Sequence, residues 1–290
     1  MMRIDRILAV TLTLISTNAM AGCFVAGTTP PTQDEIALDA GLGQSGRDLA
    51  LALLGRDWAR AESLIARDPA LGRLRVGAHH DMLSVAVASC DARAIALLAR
   101  HGAPMDGTVP GVALGLALRA TAPDLAFGLL EAGASPEPKG DAAGPMATAI
   151  ALNSIGAVRL LLDHKADPNR MEATGNRPLQ SALDMEHFRI AELLLDRGAD
   201  PWAIDAGGGN LGSALDAPML TRSAEEEAAR ARLRGRRKTL RWPVPAPDPA
   251  RVRALALAGE WPPAAARAKG AKPVPEAVLA LIRRRAERAK

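Results

Sequence analysis

The sequence predicts an all-α solenoid: stacked helix–turn–helix units joined by extended fingers, followed by a short basic helical C-terminal extension. Three observations predict it. An apolar residue, an Ala three positions on, a Leu on a second helix and a helix stop recur in one order. They read Leu83/Ala86/Leu98/Gly102, Leu114/Ala117/Leu129/Gly133, Met146/Ala149/Leu161/Lys165 and Leu179/Ala182/Leu194/Gly198, spaced by 31, 32 and 33 residues. Apolar positions within a copy follow helical spacing, three and four apart, and not the alternation of a strand. Half of the 36 Lys and Arg lie beyond Thr221 with few acids, so the part before it is moderately acidic and the tail differs in kind.

In chain order, residues 1–22 read as a bacterial export signal. Arg3 and Arg6 precede an apolar run from Ile7 to Ile15, too short for a membrane span, and the small-residue stretch Asn18 to Cys23. Met20-Ala21-Gly22-Cys23 resembles a lipoprotein box, with Cys23 the lipidation site and Phe24, lacking an Asp retention signal, directing the chain to the Gram-negative outer membrane. Ordinary cleavage after Ala21 is the competing reading and leaves a soluble periplasmic protein. The Thr- and Pro-rich stretch after Cys23 favours the lipoprotein, with residues 23–45 a flexible tether. An unmodified Cys23 would permit a disulfide with Cys90, the other cysteine, in an oxidising envelope, which the tether argues against.

Residues 46–220 form the array. Leu49, Ala52, Leu64 and Ile65 give a degenerate first repeat with Trp58 in its core, four clear copies follow, and Leu211 and Ala214 restart the pattern without completing it. The recurrent Ala allows close packing of neighbouring first helices, and the terminal Gly supplies a left-handed cap. Lys165 departs from that rule and implies an altered cap. Residues 221–290 hold a helix from Ala224 with acids first and bases last, an extended Pro-rich stretch after Trp242, and a final helix from Pro275. Capping of the array by Val278, Leu279 and Ile282 is the expected role, and attraction of the terminal bases to a membrane surface the competing one.

The copy Glu172-Ala-Thr-Gly-Asn-Arg-Pro178-Leu179-Gln-Ser-Ala182-Leu, continued by Leu193-Leu-Leu-Asp-Arg-Gly198-Ala-Asp200-Pro, resembles an ankyrin repeat. The resemblance implies a protein-binding module, not an enzyme, with no cofactor, whose finger tips and first-helix face form a concave partner surface. Across the copies these positions are His80, Ser89 and His101; Thr108, Val109 and Arg119; Asp141, Leu152 and His164; Thr174, Asn176, Asp184, Met185 and Arg197; then Trp202 and Asp205. With no Tyr in the chain, Trp202 is the foremost candidate anchor. The design is similar to immunity lipoproteins that neutralise toxins delivered by type VI secretion. The alternative is a periplasmic accessory or scaffold for an envelope or oxidative-stress enzyme such as catalase.

Other chemistry is poorly supported. Gly41-Leu-Gly43-Gln-Ser-Gly46 matches a dinucleotide-binding spacing but lacks a βαβ context and reads as a hinge. His79-His80-Asp81 sits on a finger whose adjacent side chains diverge, so no metal site is expected. Neither nucleic acid nor a small-molecule substrate is an expected partner, since the export signal sets a basic tail apart from cytoplasmic polymers.

Overall fold

The computed structural model describes residues 23–139, 144–172, 175–220 and 223–288. The export signal, Asp141 and Thr174 lie outside the described residues. A short helix α1 (Gln33–Leu38) precedes six helix pairs: α2 (Gly43–Leu54) with α3 (Trp58–Arg67), α4 (Met82–Ala88) with α5 (Ala92–Arg100), and α6 (Val112–Leu118) with α7 (Pro123–Glu131). Then come α8 (Pro145–Ala151) with α9 (Ile155–Asp163), α10 (Pro178–Asp184) with α11 (Phe188–Asp196), and α12 (Leu211–Asp216) with α13 (Ala224–Thr239). Helices α14 (Pro249–Leu257), α15 (Ala264–Arg267) and α16 (Glu276–Arg288) complete the chain. First helices stack on first helices from α2 through to α12, and α11 packs on α13 as a second helix does on its neighbour. The half-copy begun at Leu211 is therefore a complete sixth pair, its second helix delayed by a longer connection.

The repeat register of the sequence is the packing register. Ala86, Ala117, Ala149 and Ala182 are buried where first helices meet, and Leu98, Leu129, Leu161 and Leu194 form the apolar seam of the second helices. Gly102, Gly133 and Gly198 end their helices at φ of +74°, +99° and +92°, and Lys165 does the same at +72°. The cap at Lys165 is thus geometrically ordinary and chemically strained, because a side chain there costs up to about 1 kcal/mol relative to Gly. Trp58 is only half-buried, beneath the Arg93 guanidinium at 5.0 Å, so the first repeat's core is Leu49, Leu53, Ala61 and Ile65 instead. Gly41 to Gly46 is no hinge. It carries the start of α2, where a Cβ on Gly46 would lie 2.7 Å from Leu74.

Adjacent fingers are tied by acidic or amide side chains that accept from the next finger's backbone. Asp81 Oδ2 accepts from Thr108 N (2.7 Å) and Val109 N (3.0 Å), Asp106 from Ser135 N (2.6 Å), Glu137 from Asp167 N (2.7 Å) and Asn169 from Asp200 N (2.7 Å). Asp81 Oδ1 also caps α4 through Ser84 N. Both its oxygens are committed to backbone donors, which leaves His79-His80-Asp81 no carboxylate for a metal. Among the described residues no His, Cys, Asp and Glu cluster suits a metal ion.

The two chain ends depart most from expectation. Residues 23–45 are no free tether: Cys23 is disulfide-bonded to Cys90 with their Cα atoms 6.1 Å apart, Val25 N donates to Arg119 O (2.9 Å), and Thr121 N donates to Cys23 O (2.6 Å). Farther along, Ile36 is buried and Asp39 accepts from Gly77 N of the first finger (2.7 Å). The pairing overturns the argument against a disulfide and occupies the Cys23 sulfur that lipidation requires. At the other end the basic extension docks as a cap. Arg232 makes a two-pronged bond to Glu192 (2.7 Å each), Arg236 meets Asp196, Arg189 meets Glu225, and Val278 and Ile282 are buried. Arg232 and Arg236 of the tail's bases are thus matched by the acids Glu192 and Asp196 on α11.

Candidate partner-binding surface

The first-helix face and the fingers make one continuous side of the array, and the chain covers both its ends. The N-terminal segment starts at the helix-to-helix turns, where Cys23 joins Cys90 and Phe24 bridges Ala120, and finishes at the first finger, where Asp39 holds Gly77. Between them α1 packs on the first helix α2, with Glu35 near enough to His80 to act on its charge. That path crosses the first-helix side. The helix-to-helix turns place Arg56, Cys90, Asn153 and Glu186 at φ of +57°, +57°, +49° and +57°, whereas Ala120 is bridged to Phe24.

At the C-terminal end, α14 to α16 close over the last two fingers. A Cβ on Gly175 would lie 2.6 Å from Leu281, and one on Gly208 would strike the Pro249 carbonyl. Beneath them Trp202 stacks on Trp242 with ring centres 4.0 Å apart and planes 5° from parallel, and Trp261 meets both edge-on at 5.8 and 5.6 Å. The Trp261 indole N–H donates to Trp202 O at 3.0 Å. Trp202 is only 6% exposed. It is a core residue of the cap and not an exposed anchor, because a large amphipathic ring beside Trp242 and Trp261 gains more from mutual burial than from water.

Open between the two covered ends is a cleft between α10 and α12, lined by Gln180, Asp184, Asn210, Ser213 and Leu220 among others, with Met185 beside it in the chain. Met185 is 46% and Leu220 89% exposed, an accessible apolar rim. Burial in the cleft wall, and secondarily the charge of Asp205, push the Asp184 carboxyl up to about 6 although the residue retains access to water. Gln180 is buried, its Nε2 donating to Ala203 O (2.9 Å) while Oε1 finds no partner in the protein.

A family model described as ankyrin repeats, in three copies, matches residues 114–205. These are ankyrin repeats. No curated protein matches the chain. The helix pairs outside the matched stretch, α2 with α3, α4 with α5 and α12 with α13, carry the same stacking, so the solenoid of helix pairs extends beyond it. Ankyrin repeats mark a protein–protein interaction module.

Among the positions expected to meet a partner, the fold brings Asp184, Met185 and Asp205 into one neighbourhood and scatters or buries the rest. His80 is half-buried beside α1, where burial lowers its imidazole pKa against the pull of Glu35 and Asp81. Ser89 is buried and bonded to Ala86 O (2.7 Å), and Thr108 and Val109 serve the finger tie. His101 pairs with Glu62 (2.8 Å), His164 with Glu131 (3.6 Å) and Arg197 with Asp163 (2.7 Å), a ladder linking successive second helices. These three are inter-repeat struts. Arg119 is exposed but lends its carbonyl to Val25, Leu152 is half-buried at the end of α8, and Asn176 O accepts from Glu172 N in a finger turn. Gln180 and Leu220 were not legible as surface candidates. Gln180 carries no repeat signature, and Leu220 belongs to a connection whose course depends on α13 docking.

Proposed function

We propose that this chain is an exported protein-binding module of the bacterial envelope, soluble when its disulfide is formed, that engages another protein through the open first-helix face around Asp184, Met185 and Leu220. The observation that carries this reading is the Cys23–Cys90 disulfide. Structural disulfides persist in oxidising compartments and are rare in the cytosol, which agrees with an export signal ahead of Cys23. A sulfur held in a disulfide carries no thioether lipid, so cleavage after Ala21, which keeps Cys23 in the mature chain, fits better than lipidation. Within this reading the finer use we propose is neutralisation of a delivered toxin. A binding face narrowed by both chain ends suits one dedicated partner more than a general scaffold.

The test is made in cells producing the full chain. Alkylation with a maleimide–polyethylene glycol reagent should shift the protein on a denaturing gel only after reduction, and the protein should fractionate with the soluble periplasm. A shift without reductant, or incorporation of labelled palmitate at Cys23, would overturn the export-with-disulfide reading. For the binding face, an envelope protein retained on the wild-type chain should be lost from Asp184→Arg and Met185→Ala variants that melt normally. Equal retention by both variants would move the interface elsewhere.

A further inference from the structure

We propose that residues 23–39 form a redox-released cover over the first-helix surface of repeats one to three, a second partner surface kept closed by the disulfide. The cover is held unequally along its length. Its α1 end is anchored without covalent help, by buried Ile36 and by the Asp39 bonds to Gly77 and Gly41. Its other end, residues 23–32, rests on the disulfide, one isolated bridge at Ala120 and the partly buried Phe24 and buried Pro31, with Ala26, Gly27 and Thr29 exposed. Thr28 Oγ1 in the cover and His80 Nδ1 on the finger beside α1 are buried with no partner in the protein. An interface with unpaired buried polar atoms is one that a better-matched ligand can displace.

The chemistry of release is balanced and accessible. Cys23 and Cys90 are both partly exposed. A dithiol reductant attacks one sulfur, the other departs as a thiolate, and the reductant's second thiol resolves the mixed disulfide. Two electrons and two protons pass to the protein, leaving two thiols, and the reductant ends as its own disulfide. Residues 23–32 are then held only by the bridge at Ala120, the Thr121 hydroxyl donating to Cys23 O (3.2 Å), and the burial of Phe24 and Pro31. Cys90 sits in a left-handed turn at φ +57° on the rigid end of α4, so only the Cys23 side of the broken link is positioned to move. What opens is the turn edge at Arg119 to Thr121, whose backbone carbonyl and amide now pair with Val25 and Cys23. Such an edge takes an extended peptide by strand addition, and an extended segment is the kind of partner that replaces the cover.

Amide hydrogen exchange on the full-length chain tests this, comparing the oxidised protein, the same protein in excess dithiothreitol, and Cys23→Ser with and without dithiothreitol. Exchange at the amides of Val25, Thr28 and Thr121, whose bonds lie in or against the cover, should rise about tenfold or more on reduction, while α3, α5 and α11 keep their rates. Cys23→Ser should match the reduced wild type and ignore the reductant. Unchanged exchange at Val25, Thr28 and Thr121 would show a cover that stays shut without its disulfide. An equal rise in α3 and α5 would make the disulfide a general brace of the fold. Either result overturns the proposal.

Discussion

The two ends of this chain both fold back on the array, yet by different physics. The C-terminal extension buries Trp242 and Trp261 against Trp202, and pairs Arg232 and Arg236 with acids on α11 and Glu225 with Arg189, so its closure is distributed over many contacts. The N-terminal segment spans a comparable reach with one bridge, buried Pro31 and Ile36, the Asp39 bond to Gly77 and a disulfide. Closure by apolar burial is as permanent as the fold, because breaking it exposes a core. Closure by a single covalent link depends on the redox state of its surroundings. The same surface is therefore sealed irreversibly at one end and conditionally at the other.

The largest effect that would break this contrast is expected at the C-terminal end. Trp261→Ala removes the ring that meets both Trp202 and Trp242 and its bond to Trp202 O, and should cost about 3–5 kcal/mol of stability in urea titration. Trp202→Ala should behave similarly, losing stability before it loses any partner. A Trp261→Ala protein that melts like wild type would mean that the cap is as loosely held as the N-terminal segment.

Reducing the disulfide comes second. A cross-link whose ends lie 67 residues apart is worth about 4 kcal/mol in the chain-entropy account if both ends stay in place. Here the freed segment is expected to fray, so reduction should cost the array less than about 2 kcal/mol. Calorimetry with and without reductant reads the difference. A loss near the full value would place the N-terminal segment among the permanent elements.

Between the two ends lies the array, and Lys165 measures what it contributes alone. Its left-handed backbone should make Lys165→Gly stabilising by up to about 1 kcal/mol, whereas Gly198→Lys should lose a similar amount. Thermal melts that reverse this order would break the equivalence of the four caps.

The smallest effect concerns the window left open. Asp184 has a folded pKa of about 6, above its ordinary 3.8, so its ionisation opposes folding. That penalty is present above about pH 6 and fades as pH falls toward 3.8, where folded and unfolded chains are both protonated. Asp184→Asn should therefore stabilise at pH 7.5 by less than about 1 kcal/mol, because solvent access screens the charge, and should be neutral near pH 4. A variant equally stable at both pH values would show that the carboxyl is fully hydrated and the cleft walls do not confine it.

The repeat spacing determined the helix pairs, the alanines between first helices and the glycine caps, because each depends on nearest neighbours and is written again in every copy. Even the odd cap at Lys165 was legible as a departure from that pattern. The tail's basic composition and its apolar stripe of Val278, Leu279 and Ile282 announced a cap for the same reason. The fate of Trp202 was not legible. Finger positions in one copy look alike to the sequence, and only the return of Trp242 and Trp261 from some 40 to 60 residues away turns an exposed site into a core. The pairing of Cys23 with Cys90 likewise joins residues that share no local pattern, and the acids that tie finger to finger act across a whole repeat. Local periodicity fixes what each repeat must be. Which of its surfaces stays open is decided by non-repeating segments, whose positions follow from contacts made only after the solenoid has formed.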